Sequence, residues 1–397
     1  MRSALIGGAL LLAGLAAVAF GVYPASDAVV LAARVWPVLL FVVAITIVAE
    51  LSAEGGLFDV LALWITRAAR GSAWALWLFT VAVAVASTVF LSLDTTAVLL
   101  TPIVVSMARR VRLNPLPFAL TTVMLANCAS LLLPVSNLTN LLAAQRFGAA
   151  GSSGAAGFVA LSWAPAIVAV LVPATAVAVL GRRALSSRYT LTVDYGAGEG
   201  ASPDGAAGDR VLLAASAVVV LVLLPALVSG VPVWMPACGA AGILLLVFAV
   251  RRPGVLRLAL VPWPTLLFAG GLFVAMGAIE SLGSLAVARA VLGAGTGPWG
   301  LLRASGAGFV GANAINNLPA YLALEGAARH PLQLMAVLIG VNAGALITPW
   351  ASLATLLWHS RLSRMGVRVP WRRYMLIGLV VAPVTVAAAT LALWLVH

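Results

Sequence analysis

The chain has 397 residues, 63% of them hydrophobic and only 9% charged, with a mean hydropathy of +1.12. That composition excludes a water-soluble domain, which would have too little polar surface to cover its core. The net charge of +12 comes from 23 arginines and no lysine. They sit in short clusters between apolar runs, so they read as charge that orients membrane spans rather than as a nucleic-acid-binding face.

Apolar runs long enough to cross a ~30 Å hydrocarbon core recur from end to end. The first, 4–20, follows Arg2 and resembles a signal peptide, but no small-residue cleavage site follows, so it is read as a retained span. A second span covers 36–50, and an amphipathic piece covers 57–70. Region 71–108 holds one charge, Asp94, and is flanked by Arg70 and by Arg109-Arg110. Arginines at both ends put both ends on the cytoplasmic side, which predicts a re-entrant hairpin with Ser92-Leu93-Asp94-Thr95-Thr96 at its tip.

Spans at 116–145, 158–180, 211–228, 234–250 and 265–280 follow. A second hairpin is predicted at 301–328, with Asn313, Asn316, Asn317 and Pro319 at its tip, then spans at 332–360 and 374–396. The result is an all-α polytopic membrane protein with about nine full spans, two re-entrant hairpins and two broken helices, 116–145 and 332–360. With the N-terminus cytoplasmic, eighteen arginines lie inside and five (34, 146, 289, 303 and 329) outside. Segment 181–210 is rich in Gly and Ser and carries Asp194, Glu199, Asp204 and Asp209; it reads as a flexible cytoplasmic linker. It divides a first transmembrane repeat, 1–180, from a second, 211–397, of inverted orientation.

The two broken helices carry the most specific pattern. Asn127, Pro134, Asn137 and Asn140 return 215 positions later as Asn342, Pro349, Ser352 and Thr355. Lipid offers no partner to free backbone groups, so paired breaks at equivalent places in two halves point to the solute site of a secondary transporter. Each of the four polar tips is expected at the N-terminal side of a half-helix, where free N–H groups and the helix dipole suit an anion or an oxygen-rich neutral solute. The candidate solute-binding residues are Ser92, Asp94, Thr95, Asn127, Ser136, Asn137, Asn140, Asn316, Asn317, Asn342, Thr348, Ser352 and Thr355.

Asp94 is also the candidate ion-coupling residue, since an ionisable group at membrane depth is by default functional. The plainer reading makes it an N-cap, and both roles are compatible. Glu325 is expected to pair with Arg303 or Arg329, and Glu50, Glu54 and Asp59 to sit solvated at the cytoplasmic edge. Cys128 and Cys238 form neither a disulfide framework nor a metal cluster. No cofactor, catalytic residue or metal ligand set is expected, and a chain without lysine has no P-loop.

At these tips the chain resembles the arsenite permease (ArsB-type) branch of the ion transporter superfamily, which also contains divalent-anion/sodium symporters. The resemblance rests on Glu54-Gly-Gly-Leu-Phe58, on Asp94-Thr-Thr-Ala-Val-Leu-Leu-Thr-Pro102, on Pro134-Val-Ser136-Asn137-Leu-Thr-Asn140, on Asn316-Asn317-Leu-Pro319 and on Thr348-Pro349-Trp-Ala-Ser352-Leu-Ala-Thr355. It implies export of trivalent arsenic or antimony as the hydroxide, driven by proton entry across the inner (plasma) membrane, in some members with a soluble ATPase subunit as partner. It also implies a solute held among the four tips, with Asp94 as the hairpin-tip acid. The chain departs from that pattern at Asn127 and Asn342, where acids are usual, at Leu93 for Asn, and at Leu346 for Lys. Na⁺-coupled symport of a carboxylate or inorganic anion, and Na⁺/H⁺ antiport, are the alternatives.

Overall fold

A computed structural model describes residues 2–149, 154–189, 209–227, 229 and 231–397. Among these residues every regular element is helical. The first half contains α1 (Arg2–Ala19), α2 (Ala25–Glu54), the amphipathic α3 (Leu57–Ala68) and α4 (Ala73–Phe90). Next, α5 (Leu93–Thr95) runs through a π-turn (Thr96–Leu100) into α6 (Thr101–Arg110). Then come α7 (Leu116–Cys128), α8 (Leu138–Ala149) and α9 (Gly154–Leu185). The second half holds α10 (Arg210–Ala226), α11 (Trp234–Arg251), α12 (Trp263–Ile279), α13 (Leu285–Leu292) and α14 (Pro298–Ile315). It ends with α15 (Asn317–Glu325), α16 (Pro331–Ala343), α17 (Leu353–Arg364) and α18 (Trp371–Val396).

Among the described residues six helical stretches are long and apolar enough to cross a membrane alone, including α2, α4, α11 and α18, and four shorter apolar helices accompany them. Their outward faces carry side chains no aqueous surface would tolerate together: Leu12 is 70% exposed, Val250 82% and Leu395 73%. This is a multi-pass membrane protein. The second span is longer than its apolar run, because α2 continues through Pro37 and starts at Ala25. The expected linker starts later than 181: α9 continues to Leu185, and Tyr189 N–H then bonds Gly71 C=O at 2.9 Å. Positions 190–208, with Asp194, Glu199 and Asp204, lie outside the described residues. Asp209 caps α10 and is gripped by Arg251 at 2.7 Å, which holds its carboxyl low, at about 2.

Packing crosses between the halves. Helix α1 lies along α12, α2 along α11, and α9 along α18. Inside, α7 and α16 are almost wholly buried, and these are the half-helices that lead into the two breaks. Small residues permit the closest approaches, as in membrane bundles generally. A Cβ at Gly340 of α16 would collide with the Ser305 carbonyl oxygen of α14 and lie 2.8 Å from the Phe309 nitrogen. Gly340→Val is therefore expected to destabilise the protein by about 3 kcal/mol, seen as a fall in the thermal unfolding midpoint in detergent.

Candidate functional site

Both hairpins turn on one residue of unusual backbone. Ser92 has φ 127° and ψ 162°, and Asn316 has φ 96° and ψ 153°. Such conformations cost a non-glycine residue on the order of 1–3 kcal/mol and cluster at ligand clamps. Each of the two residues caps the helix it starts. Ser92 Oγ accepts from Thr95 N–H at 3.3 Å, and Asn316 Oδ1 accepts from Leu318 N–H at 3.2 Å. The cap of the first hairpin is thus Ser92, which leaves the Asp94 carboxylate out of that role.

The second tip is stitched to the second break. Asn313 Nδ2 donates to Gly344 C=O, its Oδ1 accepts from the N–H groups of Ile347 and Thr348, and Thr348 Oγ1 donates back to Asn313 C=O. Asn316 Nδ2 bonds Trp350 C=O at 2.8 Å, and Asn317 N–H bonds Ala351 C=O at 2.9 Å. The second tip is thus tied to the break beside it, whereas among the described residues the side chains of Ser92, Thr95 and Thr96 bond only within the first hairpin, with Ser87, Thr88 and Leu91.

The two breaks face each other, and Asn342 joins them. Its Oδ1 accepts from Asn137 Nδ2 at 2.8 Å and Thr139 Oγ1 at 3.0 Å, while its Nδ2 donates to Asn140 Oδ1 at 2.8 Å. Asn127 and Asn342 lie in the last turns of α7 and α16, so the expectation that every tip sits at a helix N-terminus is corrected for these two. Helix C-terminal ends are partially negative and present free carbonyls. Asn137 and Ser352, in contrast, immediately precede α8 and α17. Asn342→Leu would leave three buried partners unpaired, and unfolding midpoints should report a loss of about 3 kcal/mol. Asn342→Asp keeps the acceptor and should lose about half as much.

Several candidates are committed to holding the backbone. Ser136 Oγ donates to the carbonyls of Ser130 and Leu133, and Asn140 Nδ2 also donates to Ser130 C=O. Asn127 Nδ2 bonds Val123 C=O, and Thr355 Oγ1 meets Tyr374 OH at 3.3 Å. Ser352 Oγ is buried without a hydrogen-bond partner among the described residues.

A cavity of about 380 Å³ brings together Ser92, Asp94, Thr95, Ser136 and Asn137. This size suits a small solute. The Asp94 Oδ1 is buried and has no hydrogen-bond partner among the described residues. Thr46 and Glu50 of α2, Thr265 of α12 and Arg361 of α17 complete the polar lining. The other eight candidates, Asn127, Asn140, Asn316, Asn317, Asn342, Thr348, Ser352 and Thr355, do not line it. Glu50 and Arg361 escaped the sequence reading because each ends an apolar run, where charges ordinarily meet water; only the fold turns these helix ends toward one cavity.

Glu325 pairs with neither expected partner. Arg34 grips it with two bonds at 2.8 and 2.9 Å, and Arg146 Nε lies 3.3 Å away. Arg303 is instead spent on the C-terminal carbonyls of α13, Ala290 and Val291.

The sequence profile of the family described as CitMHS, citrate transporter, matches residues 3–330. The arsenical pump membrane protein of Escherichia coli K12 is 29% identical over 98% of this chain and 94% of its own length. That of Yersinia enterocolitica is 29% identical over 94% of this chain and 90% of its own. An uncharacterized transporter of Mycobacterium tuberculosis is 26% identical over 91% and 86%.

Proposed function

Because the chain belongs to the citrate-transporter family, we propose that it is a secondary active transporter that exports arsenite and antimonite in exchange for protons. The observation that carries this reading is Asp94, a carboxylate with an unpartnered buried oxygen on the wall of a solute-sized cavity. Nothing but a proton or small cation is needed to neutralise it, and no arginine holds it permanently charged. Kinship with proteins named as arsenical pumps supports the choice of solute. The trihydroxide of arsenic is neutral and oxygen-rich, and Ser92, Thr95 and Asn137 offer it donors and acceptors.

In this reading the structure is open to the cytoplasm. Solute enters the cavity as Asp94 releases its proton inward. After the bundle rearranges, Asp94 takes a proton from outside and the solute leaves. The halves 1–180 and 211–397 act as inverted repeats, with hairpins 71–108 and 301–328 re-entrant from opposite sides and the N-terminus in the cytoplasm. The shared backbone of Ser92 and Asn316 and the crossed packing of α1 on α12 and α2 on α11 support that symmetry. The protein sits in the inner (plasma) membrane, and a soluble ATPase subunit is a compatible partner.

Na⁺-coupled symport of a carboxylate or inorganic anion is the second reading, favoured by the family's description; Na⁺/H⁺ antiport is a third. Arsenite accumulation in cells lacking their own exporter separates them. Cells carrying this protein should accumulate less arsenite than cells without it. Equal accumulation, with Na⁺-dependent citrate uptake, would establish the second reading in its place.

A further inference from the structure

A second, outer cavity of about 460 Å³ adjoins the inner one, and its charged lining is Glu50, Glu54, Asp59, Asp209, Arg252 and Arg361. Glu50, Val98, Leu99 and Arg361 line both cavities. These four residues mark the junction of the two cavities, the neck between them. Glu50 comes from α2, Val98 and Leu99 from the π-turn behind the first hairpin tip, and Arg361 from the last turn of α17. The polar route on both sides of the neck is predominantly acidic: carboxylates outnumber arginines four to two in the outer lining and two to one in the inner. Asp209 is further neutralised by Arg251, whereas among the described residues Glu50 makes no ion pair at salt-bridge distance. Among the described residues, Arg361 is the one cation that shares the inner lining with Glu50.

Clefts lined by one sign of charge within low-dielectric walls focus the field along their axis. An anion moving inward meets Glu50 where the two cavities join and then Asp94, with one guanidinium, that of Arg361, to offset two carboxylates. A neutral hydroxide meets no such barrier. We propose that Glu50 is the specificity-determining residue of the neck: its carboxylate excludes multiply charged carboxylates from the inner cavity, and Arg361 opposes it. This selectivity rests on the reading that the cargo is an uncharged hydroxide. It gives a physical reason why a chain of a citrate-transporter family would fail to take citrate. Specificity here is built as much by repelling the wrong solute as by holding the right one.

The test is citrate binding to purified, full-length protein, read by thermal shift and by quenching of tryptophan fluorescence, for wild type, Glu50→Gln, Glu50→Asp and Arg361→Gln. Glu50→Gln should bind citrate at least tenfold more tightly than wild type, and Glu50→Asp, which restores the charge, should bind it like wild type. Arg361→Gln should bind it more weakly still, and raising the salt concentration should shrink these differences. Equal citrate binding by wild type and a folded Glu50→Gln variant would overturn the proposal. So would Glu50→Gln and Arg361→Gln shifting binding in the same direction. Should Glu50→Gln unfold, the Arg361→Gln arm decides alone: tighter binding overturns the filter. Arsenite export by wild type is measured in parallel. Loss of export with a charge-dependent gain of citrate binding faults the choice of cargo and leaves the filter standing; intact export with no such gain does the reverse.

Discussion

Replacing Asp94 by Asn should reduce arsenite export by about 100-fold, the lower range of what a positioned proton carrier contributes. The change keeps the shape of the side chain and removes only its capacity to gain and lose a proton. The hairpin should fold normally, because Ser92 rather than Asp94 caps the helix after the turn, by accepting from Thr95 N–H. Thermal stability should therefore change by less than ~1 kcal/mol while transport collapses. Glu at the same position should retain part of the activity, since the carboxylate persists one methylene further out. Export assays on membrane vesicles with an imposed proton gradient check this directly. If a well-expressed Asn variant still exports against that gradient, proton coupling runs through another group.

Glu325→Gln should destabilise the protein by about 3 kcal/mol. The carboxylate is 6% exposed and holds Arg34 and Arg146, drawing α15 onto α2 and α8. Removing one member of a buried ion pair costs ~3–5 kcal/mol because the remaining charge is stranded. The arginine side chains are 27% and 37% exposed, so water reaches them and the lower end of that range applies. Arg34→Lys should fail to substitute, because the two-pronged grip needs a planar guanidinium. Thermal unfolding of Glu325→Gln, of Arg34→Gln and of the double variant measures the coupling. The double variant should lose clearly less than the sum of the singles.

Much of this protein was legible in its residues alone. Hydropathy and arginine placement identified a multi-pass membrane protein. The tips at Ser92 and Asn316 emerged within a few residues, because a polar group at membrane depth has to mark a backbone break. The 215-residue recurrence from Asn127 to Asn342 located both broken helices for the same reason. These are local properties, carried by composition, spacing and the requirement that every peptide group find a partner.

Pairing across the fold was a different matter. Sequence proximity pairs Glu325 with Arg303 or Arg329, yet in the fold it meets Arg34, 291 positions away. Asn127 and Asn342 were grouped with the N-terminal caps, but both end helices, and Asn342 bridges the two breaks. Glu50 and Arg361 look like ordinary solvated span ends until α2 and α17 bring them to one neck. The sequence determined where the chain must break and which segments are apolar enough to cross lipid, because those follow from the solvent around each segment. Which polar groups satisfy one another was decided only by tertiary structure, because that depends on helix packing that joins residues hundreds of positions apart.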